Sequence, residues 1–376
     1  RARLDVAGRR PFLNVRVLVV NAGSTSLKLS VLEEDRLCGA RELSAPGAAI
    51  DAVEVAAALA ELGEVDAVGH RIVHGGERFL GAVLIDEDTV VALRELADLA
   101  PLHQAKSLAA LETVSGALPG HPAVACFDTA FHATIPKSAA TYALPRSWRE
   151  RWGLRRFGFH GLSHAYASRR AAEMLGRSVD GLRIVTCHLG AGASLAAVES
   201  GRSVDTTMGF TPLEGLAMAT RSGSVDPGLL LWLLERSELT EQQMAHALEH
   251  ESGMLGLAGS ADMRLVVEAA VAGDAQARLG LDVYLHRLRA GVASMAAAMD
   301  GLDVLVWTGG VGERAPYIRA AASDGLGFLG VLVDHETNRT ASGDRDLSAE
   351  GAAVRTLVIG AREDVEIARE VRRLLS

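Results

Sequence analysis

Four short stretches of the chain each place a candidate functional side chain among small or apolar residues. They are GHRIVHGG (69–76) with Arg71, FDTAFH (127–132) with Asp128, RRFGFHGLSH (155–164) with His160, and GFTPLEGLAMATRSGSVDPG (209–228) with Arg221. A guanidinium group donates two parallel hydrogen bonds to a carboxylate or a phosphoryl group. The two arginines therefore indicate a site that binds such groups.

Each of these residues, taken alone, also fits a structural role. Arg71 fits a surface salt bridge, and His160 fits a hydrogen-bonded core residue. Asp128 follows an apolar strand, where open α/β sheets bind their ligands, but aspartate is also common in turns. The chemistry becomes specific only when the stretches are taken together.

Three glycine-rich or serine-rich turns follow apolar strands, in NAGSTSLK (21–28), HLGAGAS (188–194) and TGGVGER (308–314). The first is not a nucleotide loop of the helix-forming kind, because Leu27, Leu29 and Val31 alternate with polar residues and predict a second strand. Backbone N–H groups of such turns can bind phosphate, although each turn also fits a plain bend between strands. Asn21 and Lys28 add a ligand for a metal-bound water and a charge for a phosphate.

The pattern of strands and helices predicts an internal duplication. Both halves begin with a strand, a small-residue turn and a returning strand. We predict strands at Val15–Val20, Leu27–Leu32, Val124–Phe127, Ile184–Cys187, Leu195–Val198 and Val304–Trp307, with a short apolar stretch at Val65–Val68. We predict helices over Leu108–Leu118, from the capping box at Thr240–Gln243, over 278–299 and over Asp364–Leu375. Two similar α/β lobes facing each other across a cleft are expected.

Composition excludes several classes of protein. The chain has 376 residues, which suits two domains, and a formal net charge of −9, which disfavours nucleic acids and anionic membranes as partners. No apolar run approaches the roughly 18 residues of a membrane span. The sequence also has no nucleophile elbow, no HExxH zinc helix and no dinucleotide loop. What remains suits phosphoryl transfer, in which catalysis is mostly positioning and charge neutralisation.

The cysteines and the first residues indicate the compartment. Cys38, Cys126 and Cys187 are odd in number and widely spaced, so we expect reduced thiols in the core of a cytoplasmic protein. Residues 1–14 contain basic residues but no apolar segment of a signal peptide, and we expect them to form a disordered extension.

The motifs occur in the order found in the acetate kinase family, which this chain resembles from about Val15 to the C-terminus. The blocks GFTPLEGLAM and FGFHGLSH are the most specific. The family belongs to the superfamily of acetate and sugar kinases, heat-shock chaperones and actin. The resemblance implies an α/β fold with two duplicated ribonuclease-H-like (actin-like ATPase) domains flanking a nucleotide cleft. It implies an N-terminal, acyl-substrate-side domain of residues 15–130 plus 365–376 and a C-terminal, nucleotide-binding domain of residues 131–364.

The resemblance also implies roles for individual residues. Catalysis is assigned to Arg71, Asp128, His160 and Arg221, with Arg71 binding the substrate carboxylate. The pocket for the methyl group is assigned to Val73, Leu102, Phe159 and Pro212. Nucleotide contacts are assigned to Lys28, His188, Leu189, Gly190, Ala191, Gly192, Asp262, Met263, Arg264, Gly309, Gly310, Val311, Gly312 and Glu313. Asn21 and Glu363 match the positions that bind Mg²⁺, for which Mn²⁺ is a substitute.

The implied activity is reversible transfer of the γ-phosphate of ATP to acetate, giving acetyl phosphate and ADP, in a cytoplasmic homodimer. A propionate or short-chain fatty acid kinase is the alternative within the same chemistry. A non-catalytic actin-like nucleotide switch is the alternative of another class, but it does not explain a pair of arginines suited to a carboxylate. Two positions depart from the family pattern. Ala191 replaces the Asn of HLGNG, so we expect modestly altered nucleotide affinity, and PLHQAKS (101–107) replaces PLHNP.

Overall fold

The computed structural model describes residues 15–23, 26–45, 50–96 and 101–376, and of residues 101–103 it describes the backbone only. The predicted extension (1–14), Ser24 and Thr25 of NAGSTSLK, and the side chain of Leu102 lie outside the described residues. None of the described helices is both long and apolar enough to cross a lipid bilayer.

Twelve strands of the described residues form two six-stranded sheets. The first sheet contains β1 (Arg16–Ala22), β2 (Ser26–Glu33), β3 (Arg36–Ser44), β4 (Ala67–Ile72), β5 (Val83–Leu84) and β6 (Ala123–Phe127). The second contains β7 (Arg183–Leu189), β8 (Ala193–Glu199), β9 (Arg202–Thr206), β10 (Val304–Thr308), β11 (Arg345–Asp346) and β12 (Arg355–Val358).

Fifteen α-helices of the described residues connect these strands. The helices of the first half are α1 (Ala52–Leu62), α2 (Glu87–Glu95), α3 (Pro101–Ala117), α4 (Lys137–Ala140), α5 (Arg146–Trp152) and α6 (Gly161–Met174). Those of the second half are α7 (Pro227–Arg236), α8 (Glu241–His246), α9 (Gly253–Ala258), α10 (Met263–Val271), α11 (Ala275–Ala297), α12 (Gly309–Arg314), α13 (Pro316–Asp324), α14 (His335–Thr340) and α15 (Glu363–Leu375).

The contacts divide the chain into two units. Unit 1 consists of the described residues up to Ala133, with His160–Tyr166 and Arg362–Ser376. Unit 2 consists of Thr134–Phe159 and Ala167–Ala361. The domain boundaries implied by the resemblance, after residues 130 and 364, stay a prediction.

The two sheets have the same topology. The first runs β3-β2-β1-β4-β6-β5, and the second, taken from its other edge, runs β9-β8-β7-β10-β12-β11. In each sheet the first three strands pair antiparallel, and the third, fourth and fifth strands pair parallel. A two-residue strand at the far edge pairs antiparallel with the fifth. The predicted α/β class with two duplicated domains is therefore confirmed.

Close packing of α15 on β4 covers one face of the first sheet. A Cβ atom at Gly69 would lie 2.5 Å from Ile367 Cγ2 and 2.8 Å from Val371 Cγ2, so the helix approaches the strand only because residue 69 has no side chain. On the opposite face, Val68 packs with Ala110 and Val114 of α3. These helices hold β4, and with it Arg71, in place.

Most predicted elements are present, with shifted ends. The fourth strand is Ala67–Ile72 rather than a stretch ending at Val68, so Arg71 lies within the strand and not after it. The capping box at Thr240 and Gln243 is formed. The expectation of three core thiols is wrong for Cys38, which is exposed on the solvated strand β3, whereas Cys126 and Cys187 are buried.

Candidate active site

Arg71 and Asp128 form a buried ion pair in unit 1. Arg71 Nη2 donates to Asp128 Oδ2 at 2.6 Å, and Arg71 Nε donates to both carboxylate oxygens at 3.1 and 3.2 Å. The pair forms because β4 and β6 are parallel neighbours, and Asp128 N donates to Ile72 O where β6 ends. The side chain of Asp128 is 1% exposed and that of Arg71 is 19% exposed. A charged pair at the carboxyl ends of parallel strands is therefore held almost out of water.

The pair keeps the guanidinium charged. Burial lowers the pKa of Arg71. The charge and hydrogen bonds of Asp128, together with the charge of Glu363, raise it by more than burial lowers it, so the pKa of Arg71 lies above its ordinary value. Arg71 Nη1 also donates to Asn21 Oδ1 at 3.1 Å. Because a guanidinium has five N–H groups, these bonds leave N–H groups of Arg71 for another acceptor.

Asn21 and Glu363, the two predicted metal ligands, both lie close to Arg71. Asn21 is at the end of β1, and Glu363 is in the first turn of α15, near enough to raise the pKa of Arg71. One amide oxygen and one carboxylate are the hard donors that Mg²⁺ prefers, and this ion usually takes one or two protein carboxylates, with water and substrate phosphate completing its shell. The described residues contain no cluster of three or more His, Cys, Asp or Glu suited to a metal. The donor set fits Mg²⁺ held jointly with a nucleotide.

His160 lies in a strained turn against Asp128. Its φ is +55°, in the left-handed region that few non-glycine residues adopt. Gly161 N donates to Asp128 O at 2.9 Å, and a Cβ atom at Gly161 would lie 2.1 Å from that oxygen. The turn therefore docks on the residue that binds Arg71, and α6 begins immediately after His160.

The other predicted residues of unit 1 are less enclosed. Val73 is half-buried just after β4. Lys28 is exposed opposite Asn21 in the β1–β2 register, and its Nζ lies 3.9 Å from Glu42 Oε1. An exposed pair of this kind contributes little to stability, which leaves Lys28 available to a ligand.

Arg221 belongs to unit 2 and lies on an irregular segment packed against the start of α9. Its Nη1 is 3.5 Å from Pro212 O, and burial lowers its pKa, opposed by the charge of Glu249. Gly253 has φ +60°, and a Cβ atom there would lie 2.6 Å from Arg221 O and 2.2 Å from Met218 O. Phe159 is buried in the same unit and Pro212 is half-buried.

A cavity of about 630 Å³ in unit 2 collects many of the predicted nucleotide-binding residues. Its lining includes Gly190, Ala191, Asp262, Met263, Arg264, Gly310 and Val311. The other predicted nucleotide residues of unit 2 lie in or next to the turns 188–192 and 309–313 but do not line the cavity. They are His188, Leu189, Gly192, Gly309, Gly312 and Glu313.

Two glycine turns meet beside this cavity. Gly309 has φ +76°, and a Cβ atom there would lie 2.8 to 3.1 Å from the backbone of Leu189, so only glycine permits the approach. Ala191 is exposed, and its carbonyl accepts from Ala219 N at 3.1 Å. The cavity thus combines two turns distant in sequence with an apolar floor.

Comparison with known proteins identifies the family. The family model described as the acetokinase family matches residues 39–369. The chain belongs to the acetokinase family. It is 48% identical to the acetate kinase of Trichormus variabilis over 319 residues, covering 85% of this chain and 78% of that one.

Solved structures of this family have the same fold. The chain is similar to acetate kinase of Porphyromonas gingivalis (TM-score 0.89, 36% identity, 96% of this chain and 100% of that chain). It is also similar to a propionate kinase of Francisella tularensis (TM-score 0.87, 33% identity, 95% of this chain and 98% of that chain).

Sequence reasoning missed much of the cavity lining in this acetokinase-family chain. Met218, Met254, Val267, Tyr284 and Tyr317 all line the cavity. They come from α9, α10, α11, α13 and the segment before α9, and their types are those of ordinary core residues. Met218 alone lies within a stretch that the sequence singled out.

His70, the neighbour of Arg71, was also missed. It is 1% exposed, and both ring nitrogens are buried without a hydrogen-bond partner among the described residues. Burial lowers the pKa of His70 from 6.5 to about 4. The folded protein therefore keeps this imidazole neutral.

This burial predicts acid sensitivity. Between pH 6.5 and about 4, His70 binds a proton in the unfolded chain but not in the folded protein. The contribution of His70 to the free energy of unfolding is therefore fully present above pH 6.5 and is lost as the pH falls toward about 4. The shift corresponds to about 3 kcal/mol. In His70→Leu, the free energy of unfolding, measured by urea denaturation at several pH values, should depend less steeply on pH over this interval. An unchanged slope would contradict the assignment.

Proposed function

We propose that the protein is an acetate kinase that reversibly transfers the γ-phosphate of ATP to acetate. The observation that carries this proposal is the buried Arg71–Asp128 pair at the ends of β4 and β6, in a chain of the acetokinase family. A partly desolvated guanidinium with donors to spare is suited to a small carboxylate.

The reaction needs little covalent help from the protein. Acetate is ionised at neutral pH, so its oxygen attacks the γ-phosphorus without a general base, and the bond to the β,γ-bridging oxygen of ATP breaks. Arg71 orients the acetate, while His160 and Arg221 stabilise charge on the transferring group. Asp128 holds Arg71 in position through three hydrogen-bond contacts and keeps it charged.

The nucleotide occupies the cavity of unit 2, whose apolar lining suits a base. We assign phosphate contacts to the turns His188–Gly192 and Gly309–Glu313 and to Lys28. Asn21 and Glu363 hold Mg²⁺, or Mn²⁺ in its place. When bound, the ion neutralises charge on the phosphate oxygens.

A small acyl pocket favours acetate over longer acids. We assign the binding of the acyl group to Val73, Leu102, Phe159 and Pro212, and one methylene group is worth about 1–3 kcal/mol in an apolar pocket. Propionate, the substrate named for the Francisella tularensis relative, is therefore the second candidate. A nucleotide switch without chemistry would have no use for Arg71.

Trapping of acyl phosphate with hydroxylamine tests the activity. With Mg-ATP, wild-type protein should form acyl hydroxamate strongly from acetate and weakly from propionate. Arg221→Ala should lose about 10²- to 10⁴-fold in rate, the scale for removing preorganised charge from a transition state. Arg202→Ala, which changes an exposed arginine of β9 in the same unit, is the control. No product from any acid with the wild type would overturn the proposal.

We also propose that the protein acts as a cytoplasmic homodimer. Helix α7 carries the sequence PGLLLWLLER and has no buried residue, and Leu231 and Trp232 are 63% and 55% exposed. An apolar helix this exposed is typical of an interface, and a second copy of the chain is its expected partner.

Sedimentation velocity tests this surface. The wild type should sediment as a dimer, and the double variant Leu231→Asp/Trp232→Ser as a folded monomer. Phe328→Ser, which removes another exposed apolar side chain of unit 2, should stay dimeric. A monomeric wild type, or a double variant that remains dimeric, contradicts the assignment.

A further inference from the structure

A polar cluster in unit 2 holds the loop that carries Pro212 and Arg221. Both carboxylate oxygens of Glu214 are bound: Tyr142 Oη donates to Oε2 at 2.5 Å, and Arg156 Nη2 donates to Oε1 at 2.8 Å. The Arg156 guanidinium also lies over the Tyr142 ring, 5.6 Å from its centre. We call these three residues, Tyr142, Arg156 and Glu214, the clamp.

The clamp also binds the backbone of this loop. Tyr142 Oη accepts from Phe210 N at 2.8 Å. Arg156 Nη1 donates to the carbonyl oxygens of three successive residues, Thr206, Thr207 and Met208, at 3.0 to 3.2 Å. Half-buried polar groups satisfied in this way fix a unique arrangement more strongly than isolated bonds.

Glycine at position 209 is required by the clamp. A Cβ atom there would lie 1.7 Å from Glu214 Oε2 and 2.1 Å from Tyr142 Oη. Gly209 O accepts from Phe157 N and Gly158 N at 3.0 and 3.2 Å. The segment that leads to Phe159 is thus bonded directly to the loop that carries Pro212.

We propose that Tyr142 and Arg156 are positioning residues, which hold Glu214 so that Pro212 and Arg221 keep the geometry required for acyl substrate. The path is short: Glu214 is two residues from Pro212, and Pro212 O is the acceptor for Arg221 Nη1. The clamp binds the loop that carries Pro212, and none of its residues lines the cavity of unit 2. This inference rests on the proposed function and assigns residues that act through others.

Loss of one hydroxyl group should affect acetate and not nucleotide. In Tyr142→Phe, kcat/KM for acetate should fall about 10- to 100-fold, since small displacements of positioned groups cost this much. The preference for acetate over propionate should narrow. The Kd for ADP should stay within about twofold of the wild-type value, because Tyr142 does not line the cavity of unit 2. A general structural defect would instead lower kcat/KM for acetate, the preference for acetate over propionate and the affinity for ADP together.

Arginine-to-lysine variants provide a matched comparison. Arg156→Lys keeps the charge but loses the forked geometry, so kcat/KM for acetate should fall as in Tyr142→Phe. Arg183 of β7 likewise binds a carboxylate, Asp303, at 2.9 and 3.1 Å, and a carbonyl, Asp300 O, at 2.6 Å. Arg183→Lys should leave the kinetics unchanged. Equal effects of the two substitutions overturn the proposal.

Hydrogen exchange tests the clamp without relying on turnover. The amide of Phe210 should exchange at least about tenfold faster in Tyr142→Phe than in the wild type, since its acceptor is removed. In Glu214→Gln, which retains one oxygen acceptor, the amide of Phe210 should exchange more slowly than in Glu214→Ala. The kcat/KM for acetate should also be higher in Glu214→Gln than in Glu214→Ala. Failure of the wild type to form acyl hydroxamate overturns the proposed function. Unchanged Phe210 exchange with unchanged kinetics in Tyr142→Phe overturns the positioning role.

Discussion

The buried ion pair between Arg71 and Asp128 is the interaction on which the candidate site of unit 1 depends. Leaving one partner of such a pair alone costs about 3–5 kcal/mol, because an uncompensated charge stays buried. The pair also explains the surroundings. Asn21 binds a third edge of the same guanidinium, Glu363 adds negative charge, and the carbonyl of Asp128 anchors the His160 turn through Gly161. One pair of charges thus fixes the orientation of several groups with different proposed roles.

Unit 2 stabilises its arginine in a different way. Arg221 lies on an irregular segment, where backbone contacts replace strand pairing. Close approach at Gly253 and Gly209 leaves no room for a Cβ atom, so glycine composition sets the path of the chain. The clamp then fixes the loop through the carboxylate of Glu214 and through direct bonds of Arg156 and Tyr142 to the loop backbone. The two units share a sheet topology, but different local contacts position Arg71 and Arg221.

The sequence predicted strongly periodic elements well and irregular ones poorly. Runs of apolar residues located β1, β7 and β8, alternating apolar residues located β2, and the apolar stripe located α11. Strand β3, RLCGARELS, was missed because nearly all of its side chains are solvated and it carries no alternating pattern. For the same reason Cys38 was wrongly placed in the core.

Site residues divide along a similar line. Arg71 and Asp128 lie in short motifs that the sequence singled out, and the structure shows what no motif could, that the two are paired. Met254, Tyr284 and Tyr317 of the cavity come from three helices distant in sequence and meet only after folding, so neither type nor spacing distinguished them.

A double-mutant cycle on Arg71 and Asp128 tests the central claim most directly. The quantity to measure is kcat/KM for acetate in Arg71→Ala, Asp128→Ala and the double variant, each shown to be folded. If Asp128 acts by holding Arg71, either single change should abolish most of the activity and the double variant should be no worse than the worse single. Losses that simply add would show that the two residues act independently, and would contradict the account.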